Sequence, residues 1–181
     1  SLSTGDPEIS FLSGVVAERY GDMPTALEHY SAATAEAPQT PEYVMSKVET
    51  LVALDRVVEA QDLIRSRLPD FDSHAGMRIL AARIDWMLGL RGPALEQARE
   101  AVRLAPDEMP LAAELGWMPA AAEQYVDAIA VLEPLLDATQ HLAEPVKSRS
   151  ADIAGGVRTT LARAYLATGR WQEAQQAVKP L

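Results

Sequence analysis

Apolar residues recur along this chain at intervals of three and four, the spacing that places side chains on one face of an α-helix. Asp6-Pro7 precedes the first such run and is a typical helix start, because Asp caps free N–H groups and Pro suits the first turn. Gly21-Asp22 interrupts the spacing, and Asp22 can cap a second helix. The two apolar stripes are Phe11, Leu12, Val15 and Val16, then Ala26, Leu27, Tyr30 and Ala33. The pattern therefore predicts a helix–turn–helix pair at the start of the chain.

The pair recurs with a period of 34 residues. The repeated positions are Ala26, Ala60, Ala94 and Ala128 at one period, and Gly21 with Gly89 and Pro38 with Pro106 at two periods. After Ala128 the match resumes at Ala174, 46 residues later, so 12 residues are inserted. The period predicts one array of five helix pairs at about residues 7–40, 41–73, 74–107, 108–140 and 151–181, with an inserted loop near 138–150. A lone pair cannot bury its apolar stripe, so stacking of the pairs is required for stability.

At these positions the chain resembles the tetratricopeptide repeat (TPR) family, whose unit is a 34-residue helix–turn–helix. The resemblance rests on Gly14, Gly21, Ala26, Tyr30, Ala33 and Pro38 in the first unit, on Ala82, Gly89, Ala94, Ala101 and Pro106 in the third, and on Leu161, Ala162, Tyr165, Gly169 and Ala174 in the fifth. Asp55 stands where the second unit should have its turn Gly, and Pro119 departs from the pattern of the fourth. The resemblance implies an all-α, right-handed superhelical solenoid and a protein-binding scaffold.

In the family, the first helices of successive units line a concave groove. The repeat register assigns the groove positions to particular residues of this chain. They are Phe11, Val15, Arg19, Met45, Glu49, Ile79, Arg83, Trp86, Met87, Trp117 and Arg163. The Lys and Asn set with which some members clamp a C-terminal carboxylate is missing here, which disfavours that kind of partner. An apolar and aromatic strip with Glu and Arg suits an amphipathic helix or an extended peptide. Two interpretations of Trp86 and Trp117 stay open, groove contact and core packing between repeats.

The charge balance narrows the class of partner. The chain has 26 acidic and 16 basic residues, a net charge of −10, and residues 1–72 hold 13 of the acidic and 5 of the basic ones. Phosphate backbones attract Lys and Arg, so the excess of acid disfavours nucleic acid. It favours a protein or peptide partner with a basic segment, while solubility is the simpler explanation of the same charge.

Catalytic and metal-binding patterns are missing from the sequence. There is no Cys, and His29, His74 and His141 stand alone, without a second His at ligand spacing. No nucleophile elbow, P-loop or dinucleotide fingerprint occurs. The sequence therefore predicts a protein that is not an enzyme and that uses no cofactor and no metal.

The ends of the chain leave other functions open. Because the sequence begins with Ser1 and has no long apolar run, we expect a soluble segment of a longer cytoplasmic or periplasmic chain, without direct membrane insertion, and its compartment is undetermined. The last helix pair is not followed by a polar capping helix, which arrays normally need. The alternatives are therefore a homo-oligomer that assembles through uncapped repeat ends, or an accessory region of a larger enzyme or membrane-anchored assembly factor.

Overall fold

The computed structural model describes residues 6–105, 125–140 and 151–178, and over these ranges the chain is helical, with no strand. The helices are α1 Pro7–Arg19, α2 Met23–Glu36, α3 Pro41–Ala53, α4 Val57–Arg67, α5 Ala75–Met87, α6 Arg91–Leu104, α7 Tyr125–Gln140, α8 Ala151–Ala167 and α9 Trp171–Ala177, with a 3₁₀ turn at Leu68–Phe71. The fold class is thus all-α, as predicted. Trp117, Pro119 and most of the predicted inserted loop lie outside the described residues. None of the described helices is long and apolar enough to cross a membrane.

The first two helices begin as the sequence predicts. The Asp6 carboxylate accepts a hydrogen bond from the backbone N–H of Glu8 at 3.0 Å, and Pro7 occupies the first turn of α1. The Asp22 carboxylate accepts from the backbone N–H of Thr25 at 3.2 Å, and hydrogen bonding to Thr25 lowers the pKa of Asp22. Both caps satisfy N–H groups that have no partner within the helix.

The turns inside the helix pairs share one backbone conformation. Gly21, Gly89 and Gly169 have φ of 78°, 76° and 77°, and Asp55 has φ of 60°. A left-handed residue is a common way to end a helix, and Gly adopts it without a steric penalty. Asp is one of the few other residues that tolerate it. Asp55 therefore makes the turn that Gly makes in the other described pairs.

The chain divides into two compact units, each described here by itself. The first comprises described residues 6–73 together with 84–90, and the second comprises 74–83 and the described residues from 91 onward, so the division falls within α5. In the first unit α1 packs on α2, α2 on α3 and α3 on α4. In the second, α6 and α8 pack on α7, and α9 packs on α8. Packing between consecutive helices is what a stacked helical repeat requires.

The Ala residues of the 34-residue period lie in the cores of these units. Ala26, Ala60, Ala94, Ala128 and Ala174 are all buried. Larger apolar side chains complete each core, with Val44, Val48 and Ile64 in the first unit and Ile129, Leu132 and Leu161 in the second. Small residues let neighbouring helices approach closely, which explains why Ala is the residue that recurs at the period.

Gly14 marks a close approach of α1 to α2. A Cβ atom at this position would lie 2.6 Å from two ring carbons of Tyr30, and the Tyr30 side chain is only 1% exposed. The ring therefore lies directly against the backbone of α1. Gly14 is required here for the space it leaves.

Candidate partner-binding surface

Two helices of the first unit carry predicted groove residues at helical spacing. Phe11 and Val15 are four residues apart on α1, and Met45 and Glu49 are four apart on α3, so each pair lies on one side of its helix. Phe11, Val15 and Met45 are partly exposed, and Glu49 is exposed. We call the surface made by Phe11, Val15, Glu18, Met45 and Glu49 the α1–α3 face.

A cluster of three aromatic rings lies beneath this face. The Phe11 ring centroid is 4.8 Å from that of Tyr43 on α3 and 5.5 Å from that of Tyr30 on α2. Both distances are in the range of favourable aromatic pairs. Phe11 thus joins three helices while part of its side chain stays exposed, so it contributes to packing whatever it binds.

Both acidic residues of the face act on the hydroxyl group of Tyr30. The Tyr30 hydroxyl donates a hydrogen bond to Oε2 of Glu18 at 2.6 Å. Burial of the ring, the hydrogen bond to Glu18 and the negative charges of Glu18 and Glu49 together raise the pKa of Tyr30 well above its usual value. Glu18 of α1 is thus bonded to this hydroxyl group, and the charge of Glu49 of α3 acts on it as well. The α1–α3 face consequently carries two carboxylates, and the cluster of aromatic rings lies beneath it.

Lys47, the basic residue of α3, lies on a different side of that helix from Glu49. Burial lowers the pKa of Lys47, and the positive charges of Arg67 and Arg56 lower it further. Lys47 and Glu49 are two residues apart on α3, which turns their side chains about 200° from each other. Lys47 and Glu49 thus point to different sides of α3, and the charged residues that define the α1–α3 face, Glu18 and Glu49, are both acidic, with Arg19 at its edge.

The segment 84–90 brings Trp86 and Met87 into the first unit. It is attached to α4 through Asp85, a buried residue whose Oδ1 accepts hydrogen bonds from Nε2 of Gln61 at 2.6 Å and Nη2 of Arg65 at 3.0 Å. Trp86 is partly buried and Met87 is largely exposed. These two residues directly follow the buried anchor. Sequence reasoning missed Asp85, because only the structure shows which donors meet it.

The remaining predicted groove residues belong to the second unit. Ile79 is 6% exposed and packs in a core cluster with Ala82, Ala98, Ala101 and Val131. Its side chain is therefore a core side chain, and we leave it out of the proposed surface. Arg83 is partly buried, and Arg163 on α8 is exposed. Trp117 lies outside the described residues.

A second tyrosine–carboxylate contact occurs in the second unit. The Tyr165 hydroxyl on α8 donates to Oε1 of Glu133 on α7 at 2.6 Å. The Arg170 guanidinium lies 4.6 Å above the Tyr165 ring and also bonds Glu133 at 3.1 Å and Glu173 at 2.9 Å. Burial, followed by the bond to Glu133, raises the pKa of Tyr165 far above its usual value. This network joins α7, α8 and α9 and needs no ligand to explain it.

Within the described ranges, no group of three or more His, Asp or Glu side chains is placed to hold a metal ion. The buried carboxylate of Asp85 has structural partners in its two donors. What the α1–α3 face offers chemically is contact and charge.

Comparison with known proteins supports the fold. No protein family model and no curated protein sequence matches this chain. Solved structures do match. The crystal structure of MamA protein superimposes with a TM-score of 0.67 at 15% identity, over 94% of this chain and 87% of that one. A thermophilic TPR protein of Thermus thermophilus gives 0.61 at 21% identity, over 95% and 88%.

The nearly identical TPR-like repeats of a putative kinesin light chain from Podosopora anserina give a TM-score of 0.66 at 21% identity, over 96% of this chain and 93% of that one. At identities this low the likeness concerns the fold. The matches span nearly the whole chain, and they agree with the repeated helix pairs and the buried Ala positions. The protein therefore has the all-α, helix–turn–helix repeat fold of tetratricopeptide repeat proteins.

Proposed function

We propose that this protein is a non-catalytic interaction scaffold that binds a peptide or helix of a protein partner on the α1–α3 face. The observation that carries the proposal is that the α1–α3 face combines partly exposed apolar side chains with the exposed Glu18 and Glu49, above the Phe11 cluster. Repeat proteins use extended faces of stacked helices as binding surfaces. An apolar strip bordered by charge is the surface that an amphipathic segment recognises.

The charge of the face favours a partner with basic residues. The negative charge of this face attracts Lys or Arg of a partner, which raises the association rate and selects against acidic segments. Met45 and Val15 supply the apolar part of the contact, and Met adapts to different partner shapes. Trp86 and Met87 extend the proposed surface, and Arg83, Arg163 and Trp117 remain predicted groove positions.

The proposal is tested with two synthetic amphipathic peptides that share their apolar residues and carry either Lys or Glu at every polar position. We expect the Lys peptide to bind more tightly, as measured by calorimetry and by intrinsic Trp fluorescence. Glu18→Gln and Glu49→Gln should each weaken it about two- to fivefold, the range for exposed ion pairs. Glu36→Gln, an exposed acid on α2 away from the face, is the matched control and should leave the affinity unchanged.

Equal affinity for the two peptides would contradict the proposal, as would a loss of affinity in Glu36→Gln equal to that in Glu49→Gln. Trp emission is a second readout, which tests whether Trp86 and Trp117 contact the peptide. If the Lys peptide binds by calorimetry but Trp emission does not change, the groove interpretation of Trp86 and Trp117 is contradicted.

A further inference from the structure

A second surface of α1, on a different side from the α1–α3 face, is apolar and exposed. Ile9, Leu12 and Val16 are 64%, 53% and 53% exposed. They lie at spacings of three and four, so they form one stripe. With Thr25 and His29 of α2 they line an open depression of about 500 Å³. We call this surface the α1 end patch.

The repeat register shows what packs on such a stripe elsewhere in the chain. One period further on, the equivalent positions on α3 are Tyr43, Ser46 and Thr50. Thr50 is buried, and the carbonyl oxygen of Tyr43 accepts a hydrogen bond from the Thr34 hydroxyl of α2. On α3 this side is therefore covered by the second helix of the preceding pair. The α1 end patch has the same register and is exposed in the described structure.

The last helix pair has the complementary feature. Val178, just after α9, is 60% exposed, and Trp171 at the start of α9 is exposed as well. In the four preceding pairs the position equivalent to Val178 is occupied by Tyr30, Ile64, Ala98 and Leu132, and each of these is buried. The second helix of the last pair thus presents apolar side chains, one of them at a position that its counterparts bury.

The charges of the two ends favour a head-to-tail contact over a contact between two α1 end patches. Residues 6–36, which form α1 and α2, contain six acidic side chains and one basic one. Residues 151–178, which form α8 and α9, contain two acidic and three basic ones. Two copies of the acidic end repel each other, whereas the α8–α9 end, where Arg170 is paired with Glu133 and Glu173, adds no comparable repulsion.

We propose that the α9 end of one copy, through Trp171 and Val178, packs on the α1 end patch of a second copy. The contact is head-to-tail, so a second copy leaves one patch and one α9 end free for further copies. It repeats between chains the packing of a second helix on the next first helix, as α2 packs on α3. Ile9, Leu12 and Val16 centre on a different side of α1 from Phe11, Val15 and Glu18, so the two surfaces are distinct.

The test is sedimentation velocity of the full chain over a range of concentrations. We expect the average mass to rise with concentration. Val16→Glu places a charge in the patch and Val178→Glu places one at the α9 end, and each should weaken association about tenfold or more. Val58→Glu is the matched control, since Val58 is 61% exposed on α4 and belongs to neither surface. Circular dichroism verifies that each variant is folded.

Mixing the two variants gives the decisive result. Each variant alone has lost one surface, but Val16→Glu keeps its α9 end and Val178→Glu keeps its patch. A mixture should therefore form dimers with no longer species. A chain that stays monomeric at every concentration overturns the proposal and leaves the patch to another protein. Association that Val178→Glu leaves intact indicates a patch-to-patch dimer and also overturns it. A mixture that stays monomeric shows that the α9 end does not bind the patch, which overturns it as well.

Discussion

Replacing Gly14 by Ala tests whether the contact between α1 and α2 is as close as the structure shows. A Cβ at this position would lie 2.6 Å from two ring carbons of Tyr30, inside their van der Waals separation. The ring has little room to move, because it is buried, contacts Phe11, and is held by its hydroxyl bond to Glu18. Overpacking of a core costs about 1–3 kcal/mol.

The same substitution has an opposing effect on the helix. Gly to Ala within a helix is favourable by about 0.5–1 kcal/mol, since Gly loses more chain entropy on folding. The net expectation for Gly14→Ala is a loss of about 1–2 kcal/mol, which in a chain of this size lowers Tm by roughly 2–8 °C. Gly156→Ala in α8 is the matched control, because no described atom lies within 4 Å of the Cβ that it would add. It should raise stability by about 0.5–1 kcal/mol.

Urea unfolding followed by circular dichroism measures both variants, with unchanged slopes as a requirement for comparing midpoints. A double-mutant cycle with Tyr30→Val identifies the cause, since Val lacks the ring carbons that the new methyl group meets. In that background Gly14→Ala should become neutral or stabilising. If Gly14→Ala stabilises the wild-type chain as Gly156→Ala does, the close packing of Tyr30 against α1 is wrong.

Three further predictions follow from single contacts. Tyr165→Phe should make the free energy of unfolding fall less steeply above pH about 10. The pKa of Tyr165 is higher in the folded than in the unfolded state, so its stabilising contribution is present below the unfolded pKa and is lost as the pH rises toward the folded one. Alkaline unfolding curves measure this difference, and Tyr20→Phe at an exposed tyrosine is the control. Asp85→Ala should cost about 1–3 kcal/mol in urea unfolding by leaving the buried Gln61 amide without an acceptor, and Asp85→Asn should cost less, so equal losses would count against the bond to Gln61. Asp55→Gly should stabilise the chain by about 0.5–1 kcal/mol in thermal melts by relieving the left-handed φ, and a lowered Tm would show that the Asp side chain contributes more than the strain costs.

The features that the sequence predicted correctly are those that depend on neighbours along the chain. The caps at Asp6 and Asp22 and the turns at Gly21 and Gly89 are local, since each involves residues within one turn of helix. The buried Ala26 and Ala60 followed from the 34-residue period, because the period implies stacking. A repeat makes distant contacts readable, as every pair meets its neighbour in the same way.

The candidate site was less predictable, because its properties depend on which side chains meet in space. Ile79 has groove register, but neighbouring side chains including Val131 bury it, and the register alone does not reveal that. The bond from Tyr30 to Glu18 and the anchor at Asp85 required the structure for the same reason. The stripe on α1 could have been identified from the repeat register, because Ile9 is one period before Tyr43 and so lies on the corresponding side of its helix.

The Arg170 network of the second unit has a consequence for how the last helix is held. Helix α9 has seven residues, fewer than a helix needs to persist alone in water. Arg170 stands immediately before it and bonds Glu133 of α7 and Glu173 of α9 while covering the Tyr165 ring. The ion pairs of Arg170 should therefore contribute to the protection of the α9 amide protons from solvent exchange. Salt screens such ion pairs. An increase in ionic strength should consequently destabilise α9 locally, before it affects the helices on which α9 packs.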